Sequence, residues 1–187
     1  MRAVFPLMIG VFVASSHAAT VTFDDVASLG EYTAQGITFS SNISFWQIGN
    51  SVPTVLEDPN GGAVSNPNGI CVGPCGTESG SIYFDFDVEN VSIYALSGPS
   101  DDPLNSGVEI RAYDLSDNLL GTATADPLLQ FDQLTIAAVG IRRLELISPV
   151  LGGEAWDELS YTVTPVPLPG ALALMLPGAL VLRLRRK

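Results

Sequence analysis

The chain has 187 residues, of which 47% are hydrophobic and 15% charged, and its formal net charge is −12. All 20 acidic residues lie between Asp24 and Glu158 together with three arginines, which gives this body a formal charge of −17. The length accommodates one modest domain with accessory segments. A body this acidic repels phosphate backbones and has no basic stripe, which excludes nucleic acid as a partner and favours cations.

The N-terminus has the pattern of a secretory signal peptide. Arg2 precedes an apolar run over residues 3–14, and small residues follow that suit cleavage by signal peptidase after Ala18. The run is well short of the ~20 residues that a transmembrane helix needs, which disfavours a permanent anchor. We therefore predict a helical signal peptide over residues 1–18, and its removal also removes His17, the only histidine.

Apolar side chains recur with a period of two through the middle of the chain. Ile82, Phe84, Phe86 and Val88 alternate with other side chains, which puts four apolar groups on one face of a strand. The same pattern predicts about ten short strands, and no helical periodicity is visible between them. The predicted strands are 20–23, 36–40, 44–48, 82–88, 91–96, 108–112, 119–123, 131–136, 142–147 and 156–163.

Turn-forming sequences separate these strands, at residues 58–62, 66–69, 97–99 and 116–118. The last of them lies between two strands and predicts a hairpin. Parallel sheets need helical crossovers that this pattern does not show. We predict an all-β fold for residues 19–164, an antiparallel two-sheet β-sandwich of jelly-roll type, with helices only in the N-terminal signal and the hydrophobic C-terminal segment.

Two cysteines, Cys71 and Cys75, enclose three residues. An exported chain meets an oxidising compartment, so a disulfide between them is the leading interpretation. Its effect on unfolding should be small because the loop that it closes is very short. A zinc knuckle is disfavoured because no second cysteine pair and no mature histidine complete four ligands.

Several kinds of catalysis are excluded by the residues that the mature body lacks. Without His17 there is no Ser-His-Asp or Cys-His nucleophile and no histidine-ligated metal. The body also contains no lysine, which excludes lysine-based mechanisms. Paired carboxylates hydrolyse glycosidic bonds in many enzymes, but among 20 acidic residues pairs arise by composition alone. We expect a non-catalytic protein, with a secreted carbohydrate-active hydrolase using an Asp/Glu pair as the alternative.

The excess of carboxylates suits calcium, which takes six to eight oxygen ligands. The first and last strands of a jelly roll commonly lie side by side, which brings Asp24 or Asp25 towards Asp157 or Glu158. These four residues are the predicted calcium ligands. An equally supported interpretation is that Asp24 and Asp25 end the first strand, while Asp157 and Glu158 lie on the solvent-exposed face of the last strand.

Carbohydrate binding needs exposed aromatic side chains, because sugar faces stack on rings. Most of the candidates are expected in core or inter-strand packing, above all Trp156, which opens an apolar strand. Polysaccharide is one of the predicted partners, to be bound by those aromatic side chains that stay exposed. The candidates are Trp46, Trp156, Tyr32, Tyr83, Tyr94, Tyr113 and Tyr161.

The C-terminus has three parts. A proline-containing motif leads into an apolar stretch that ends at Leu182, and seventeen helical residues reach about 25 Å, slightly short of a ~30 Å hydrocarbon core. The terminal basic cluster holds such a tail on the cytoplasmic side and leaves the body outside. The motif is Val166-Pro167-Leu168-Pro169, and the cluster contains Arg183, Arg185, Arg186 and Lys187.

This tail, residues 165–187, resembles the PEP-CTERM sorting signal of Gram-negative bacteria, in a variant without the glutamate of the motif. The resemblance implies a precursor anchored in the inner membrane, recognition by an exosortase, and delivery of the body to the cell surface or an exopolysaccharide matrix. A plain C-terminal anchor has the same hydrophobicity and charge and is the alternative. Val21–Asp25 and Ala155–Tyr161 resemble the jelly-roll domains often found ahead of such tails, which are similar to carbohydrate-binding modules.

Overall fold

The computed structural model describes residues 16–24, 27–47, 68–73, 78–96, 107–126, 131–148 and 155–163. The predicted signal peptide up to residue 15, the sorting tail, Asp25, Cys75 and the predicted turns at 58–62 and 97–99 lie outside these residues. Apart from Ser16, the described residues belong to the unit His17–Thr164. The strands are β1 (His17–Val21), β2 (Ile37–Phe39), β3 (Ile43–Gln47), β4 (Asn68–Val72), β5 (Glu78–Leu96), β6 (Glu109–Tyr113), β7 (Leu119–Thr124), β8 (Phe131–Ser148) and β9 (Ala155–Val163).

These strands confirm the predicted antiparallel all-β class. They follow the order β3-β4-β9-β5-β8-β6-β7, while β1 pairs with β9 and β2 pairs with β5. Every pair is antiparallel. The strands therefore join in one hydrogen-bonded sheet, and a sandwich of two separate sheets is not confirmed.

The sheet is continuous because β5 and β8 are unusually long. Each replaces two of the predicted strands, and the two pair with each other from Glu78↔Ser148 to Leu96↔Phe131. Register shifts interrupt the pairing around Glu89, close to the left-handed residues Asn90 (φ 52°) and Gly140 (φ 81°). A β-bulge adds a residue and bends a strand without ending it, whereas the sequence pattern shows only the break in alternation.

Alternation within the strands creates the hydrophobic core. Ile82, Phe84 and Val88 are buried, as predicted, and Phe86 packs against the same cluster. Buried residues of β1, β4, β6, β8 and β9 belong to this cluster as well. One core is thus shared by strands that lie far apart in the order of the sheet.

A 3-10 helix that the sequence pattern did not predict spans Leu29–Gln35. Oε1 of Glu31 accepts hydrogen bonds from the backbone N–H groups of Ala27 and Ser28, at 2.9 and 3.2 Å. Gly36, at φ 77°, ends the helix with its N–H donating to the Thr33 carbonyl. The sequence contains the residues that cap this helix. A helix this short, however, has no apolar periodicity from which the sequence could predict it.

Strand β4 was also missed, because Asn68 and Gly69 belong to a predicted turn and begin the strand instead. Its pairing with β3 and β9 overrides that local preference. Gly69 has a packing reason to be glycine, since a Cβ there would lie 2.9 Å from the carbonyl oxygen of Trp156. The predicted hairpin around Ser116 is confirmed as the connection between β6 and β7.

No helix among the described residues is long and apolar enough to cross a membrane. The predicted tail helix lies outside those residues. Of the predicted signal helix only residues 16–18 lie within them, and there His17 and Ala18 belong to strand β1 instead of a helix. Export and anchoring thus stay predictions. If cleavage follows Ala18, β1 loses its first two pairs with β9 and keeps Ala19↔Tyr161, Thr20↔Ser160 and Val21↔Leu159.

Candidate functional site

One face of the sheet, formed where β5, β8, β6 and β7 lie side by side, carries the described aromatic side chain with the largest exposed fraction. The apolar residues Ile82, Leu144 and Ile110 point into the core. Their neighbours along each strand point the other way, because successive side chains of a strand alternate between its faces. We call this side the outer face; it consists of Ser81, Tyr83, Asp85, Glu109, Arg111, Tyr113, Asp117, Thr122, Arg143 and Glu145.

Register aligns three residues of the outer face in one row across three strands. Tyr83 is the pairing partner of Arg143, and Arg143 is the partner of Tyr113 on its other side. Neighbouring strands lie about 4.8 Å apart, so the two tyrosine Cα atoms are about 10 Å apart with the arginine between them. We call Tyr83, Arg143 and Tyr113 the tyrosine–arginine row.

Arg143 leans towards Tyr113 within this row. Its Cζ lies 3.8 Å from the centroid of the Tyr113 ring, a cation–π contact. Its Nε and Nη2 both donate to Oδ1 of Asp117, at 3.1 and 3.0 Å. The guanidinium is therefore fixed in direction, and its bonds to the described residues use two of its five N–H groups.

Tyr113 is held in turn by Glu145, whose Oε2 accepts a 2.8 Å hydrogen bond from the phenol O–H. Partial burial is the main cause that raises the pKa of Tyr113 above its usual value, and the bond to Glu145 adds to the rise. The phenol thus stays protonated and keeps donating throughout the neutral range. On the neighbouring row, Arg111 donates to both carboxylate oxygens of Glu109, at 2.8 and 3.2 Å.

Tyr83 presents the accessible ring of the row. Its exposed fraction is 42%, while Arg143 is turned towards the opposite neighbour. Most of the other aromatic candidates lie in the core, as the sequence predicts. Trp156, Tyr32, Tyr94 and Tyr161 are buried, and the side chain of Trp46 lies outside the described residues.

The turn between β6 and β7 places Asp117 over this row. Asp114 Oδ1 accepts the backbone N–H groups of Ser116 and Asn118, at 2.8 and 2.9 Å, and its Oδ2 accepts the Asn118 side-chain amide at 2.9 Å. Asp117 adopts a left-handed conformation with φ 60°. Asp114 therefore organises the turn from which Asp117 reaches Arg143.

Acid should loosen this turn. The hydrogen bonds from Asn118, the side-chain amide first, hold the pKa of Asp114 below its ordinary value of 3.8. A carboxyl whose pKa falls on folding stabilises the fold fully above its unfolded-state pKa, and the stabilisation disappears as the pH falls through the folded-state pKa. We expect Asp114→Ala to lower the free energy of unfolding at neutral pH and to converge with the parent below pH 3.8.

Urea titrations of both proteins across the acid range measure this convergence. Asp114→Asn is the matched control, since it keeps one oxygen acceptor but has no charge to titrate. A difference between parent and Asp114→Ala that persists unchanged in strong acid would contradict the assignment.

Of the predicted calcium ligands, Asp24 follows β1, Asp157 and Glu158 lie on β9, and Asp25 lies outside the described residues. Strands β1 and β9 pair through Val21↔Leu159, as expected for first and last strands. Asp157 is fully buried, and its Oδ1 accepts the Glu158 N–H at 2.7 Å. Asp24 is half-buried. Within the described residues, no three carboxylate, histidine or cysteine side chains are grouped as a metal site requires. Calcium binding stays a prediction, and Asp157 faces the interior rather than solvating the last strand.

Cys71 lies on β4 and is buried, with its sulfur 3.5 Å from the Ser44 hydroxyl. It carries no free thiol. Its predicted disulfide partner, Cys75, lies outside the described residues, so this pairing stays a prediction.

The sequence interpretation included Tyr83 and Tyr113 but did not identify Arg143, Glu145 and Asp117 as their companions. All five occupy positions that alternate with apolar residues in the predicted strands or lie in the predicted turn. The sequence could therefore predict only which residues point away from the core. Which of them become neighbours depends on strand register, which the pattern does not specify.

Comparisons with known proteins add little to these observations. No protein-family model matches the chain, and no curated protein matches it. Among solved structures, a histidine mutant of the lectin binding domain of Lectinolysin complexed with Lewis b aligns with a TM-score of 0.32 and 9% identity. The alignment covers 81% of this chain and 93% of that one. We infer neither fold nor function from a likeness at this level.

Proposed function

We propose that this protein is an exported, non-catalytic module that binds polysaccharide on its outer face. The observation that carries the proposal is the exposed ring of Tyr83 beside the Arg143 guanidinium, which Asp117 fixes, together with the Glu145 carboxylate that holds Tyr113. The apolar face of a sugar ring stacks on an aromatic ring, while its hydroxyls exchange hydrogen bonds with arginine and carboxylates. The outer face offers both kinds of contact within about two strand spacings, roughly 10 Å.

The groups of this face suit binding better than reaction. Glu145, Glu109 and Asp117 each accept a hydrogen bond from a neighbouring side chain. A glycosidase needs one carboxyl that gives up its proton and a second that attacks or activates water. No described contact favours the hydrolase alternative, and we carry it no further.

We further propose that the sheet folds over into two layers, which gives the jelly-roll sandwich. Contacts between strands distant in the sheet order support this. A Cβ at Gly80 of β5 would lie 2.6 Å from Ile43 of β3, and a Cβ at Gly121 of β7 would lie 2.9 Å from Ile136 of β8. Stacking of the layers explains why both positions are glycine.

The proposal for location rests on the sequence of the two ends. A signal peptide, the Val166–Pro169 motif, an apolar stretch and the terminal arginines support export, exosortase recognition and delivery to the cell surface or matrix. Intact mass of the protein recovered from its native host tests this. We expect loss of residues 1–18 and of the terminal basic cluster, and a mature mass that retains Lys187 contradicts processing at the tail.

Truncation of Tyr83 should abolish most polysaccharide binding. We expect Tyr83→Ala to weaken it at least about tenfold, because loss of a central aromatic contact costs about 1.4 kcal/mol or more. A glycan array identifies the polysaccharides bound by the purified full chain, and biolayer interferometry then compares the variants. Val139→Ala is the matched control, since Val139 is 67% exposed but lies beside the Gly140 bend and away from the row.

The outcomes separate clearly. Binding that survives in Tyr83→Ala places the site elsewhere and overturns the proposal, as does an array without binding.

Thermal melts with calcium and with a chelator test the predicted ion. A melting temperature that depends on calcium supports the site at β1 and β9, and an unchanged melting temperature counts against it.

A further inference from the structure

We infer that the outer face selects uncharged polysaccharides over acidic ones; this rests on the proposed function and specifies its ligand class. The face carries more carboxylates than guanidiniums. Arg111 and Arg143 are its two cations, and the ion pair of Arg142 with Asp87, at 2.6 Å on β8 and β5, adds one charge of each sign beside them. Its four anions are Asp85, Glu109, Asp117 and Glu145.

Both cations of the face already have carboxylate partners. Arg111 is bound by Glu109 through two hydrogen bonds, at 2.8 and 3.2 Å. Arg143 is bound by Asp117 through Nε and Nη2. Arginine binds carboxylates best through such paired contacts, so an acidic sugar must displace a resident carboxylate to obtain one. The displaced carboxylate would then stay beside the ligand and repel it.

A sugar hydroxyl meets no such obstacle. It can donate to the remaining lone pairs of Glu145 or Asp117 and accept from the unused N–H groups of Arg143, so every resident ion pair stays intact. The outer face thus combines a ring for stacking with polar groups of both kinds, and none of these contacts requires a charge on the ligand.

The rest of the molecule acts in the same direction. The body carries a formal charge of −17. Charges farther apart than the Debye length, about 8 Å at physiological ionic strength, are largely screened, so the general repulsion of an acidic ligand strengthens at low salt. Binding of a neutral glycan should be nearly insensitive to salt, whereas any binding of an acidic one should improve as salt is added.

Matched pairs of polysaccharides test this selectivity in the full chain. The neutral probes are dextran, pullulan and hydroxyethyl cellulose. The acidic probes paired with them are carboxymethyl dextran, carboxymethyl pullulan and carboxymethyl cellulose. We expect the neutral member of a bound pair to bind at least about tenfold more tightly, with the ratio falling as salt is raised. Tyr83→Ala should lose the neutral member, and Val139→Ala should bind like the parent.

A second variant tests the cause of the selectivity. Asp117→Asn removes one anion and releases Arg143, so the preference for the neutral member should shrink. Tyr83-dependent binding that favours the carboxymethyl member, or a preference that Asp117→Asn leaves unchanged, overturns this inference while the proposed function stands. Absence of Tyr83-dependent binding both to every probe and to every polysaccharide of the glycan array overturns both.

Discussion

Trp156→Ala should lower the free energy of unfolding by about 3–5 kcal/mol, the usual cost of deleting a buried aromatic side chain. Trp156 is fully buried at the start of β9, beside Ile70 of β4 and Ala95 of β5. Folded domains are stable by only about 5–15 kcal/mol, so this loss approaches the whole stability of the body. Urea unfolding followed by far-ultraviolet circular dichroism measures it without relying on the deleted fluorophore.

Trp156→Phe separates packing from hydrogen bonding at the same position. Among the described residues, the indole N–H of Trp156 donates to no acceptor. The phenylalanine variant therefore loses volume but no hydrogen bond, and we expect a cost below about 2 kcal/mol. Leu119→Ala is the exposed control, at 55% exposure, and should change stability by less than about 0.5 kcal/mol. An alanine variant no less stable than this control would contradict the burial of the indole.

Phe23→Ala should have a comparable effect, again about 3–5 kcal/mol. The ring is fully buried and makes edge-on contacts with Tyr32 and Phe39, at centroid distances of 5.8 and 6.2 Å. Phe23, Tyr32 and Phe39 form an aromatic cluster that packs the 3-10 helix against β2, and removal of the Phe23 ring deletes its contacts with both other rings. Thermal and urea unfolding both report the loss.

The backbone conformation at Phe23 predicts how the stabilities of the glycine and alanine variants compare. Its φ of 63° lies in the left-handed region, which costs an alanine about 1 kcal/mol and a glycine almost nothing. Phe23→Gly should therefore be at least as stable as Phe23→Ala. At the buried strand residue Ile37, which is not left-handed, the glycine variant should be less stable than the alanine variant by about 1 kcal/mol. The same order at both positions would contradict the backbone assignment.

The strands that the sequence predicts best are those in which side-chain alternation reflects a buried face. Ile82, Phe84 and Val88 identify the inward face of β5 from sequence alone, and the structure buries all three. The break near Asn90 reads as a strand end, whereas a left-handed residue carries the same strand onward. Local patterns show where alternation stops and do not distinguish a bulge from a loop.

Strand β4 shows the opposite failure. The Asn68–Gly69 pair has the chemistry of a turn, but its pairing with Gln47 and Trp46 of β3, continued by the pairing of Ile70 and Cys71 with β9, makes it the start of a strand. The candidate site was predictable to the same limited extent. Outward positions such as Tyr83 and Tyr113 follow from alternation, while the placement of Arg143 between them follows from pairing between residues 30 and 60 positions apart. Such long-range register is decided by the packing of the whole core.

The pairing of β1 with β9 also has a consequence for engineering the body. Ala19 and Tyr161 are direct partners in an antiparallel ladder, so a short linker suffices to join the two ends of the β domain. Leu115, 78% exposed in the turn after β6, offers a place to open the chain instead. The fold is therefore suited to circular permutation, in which the outer face keeps its strand register while new termini arise beside Asp117.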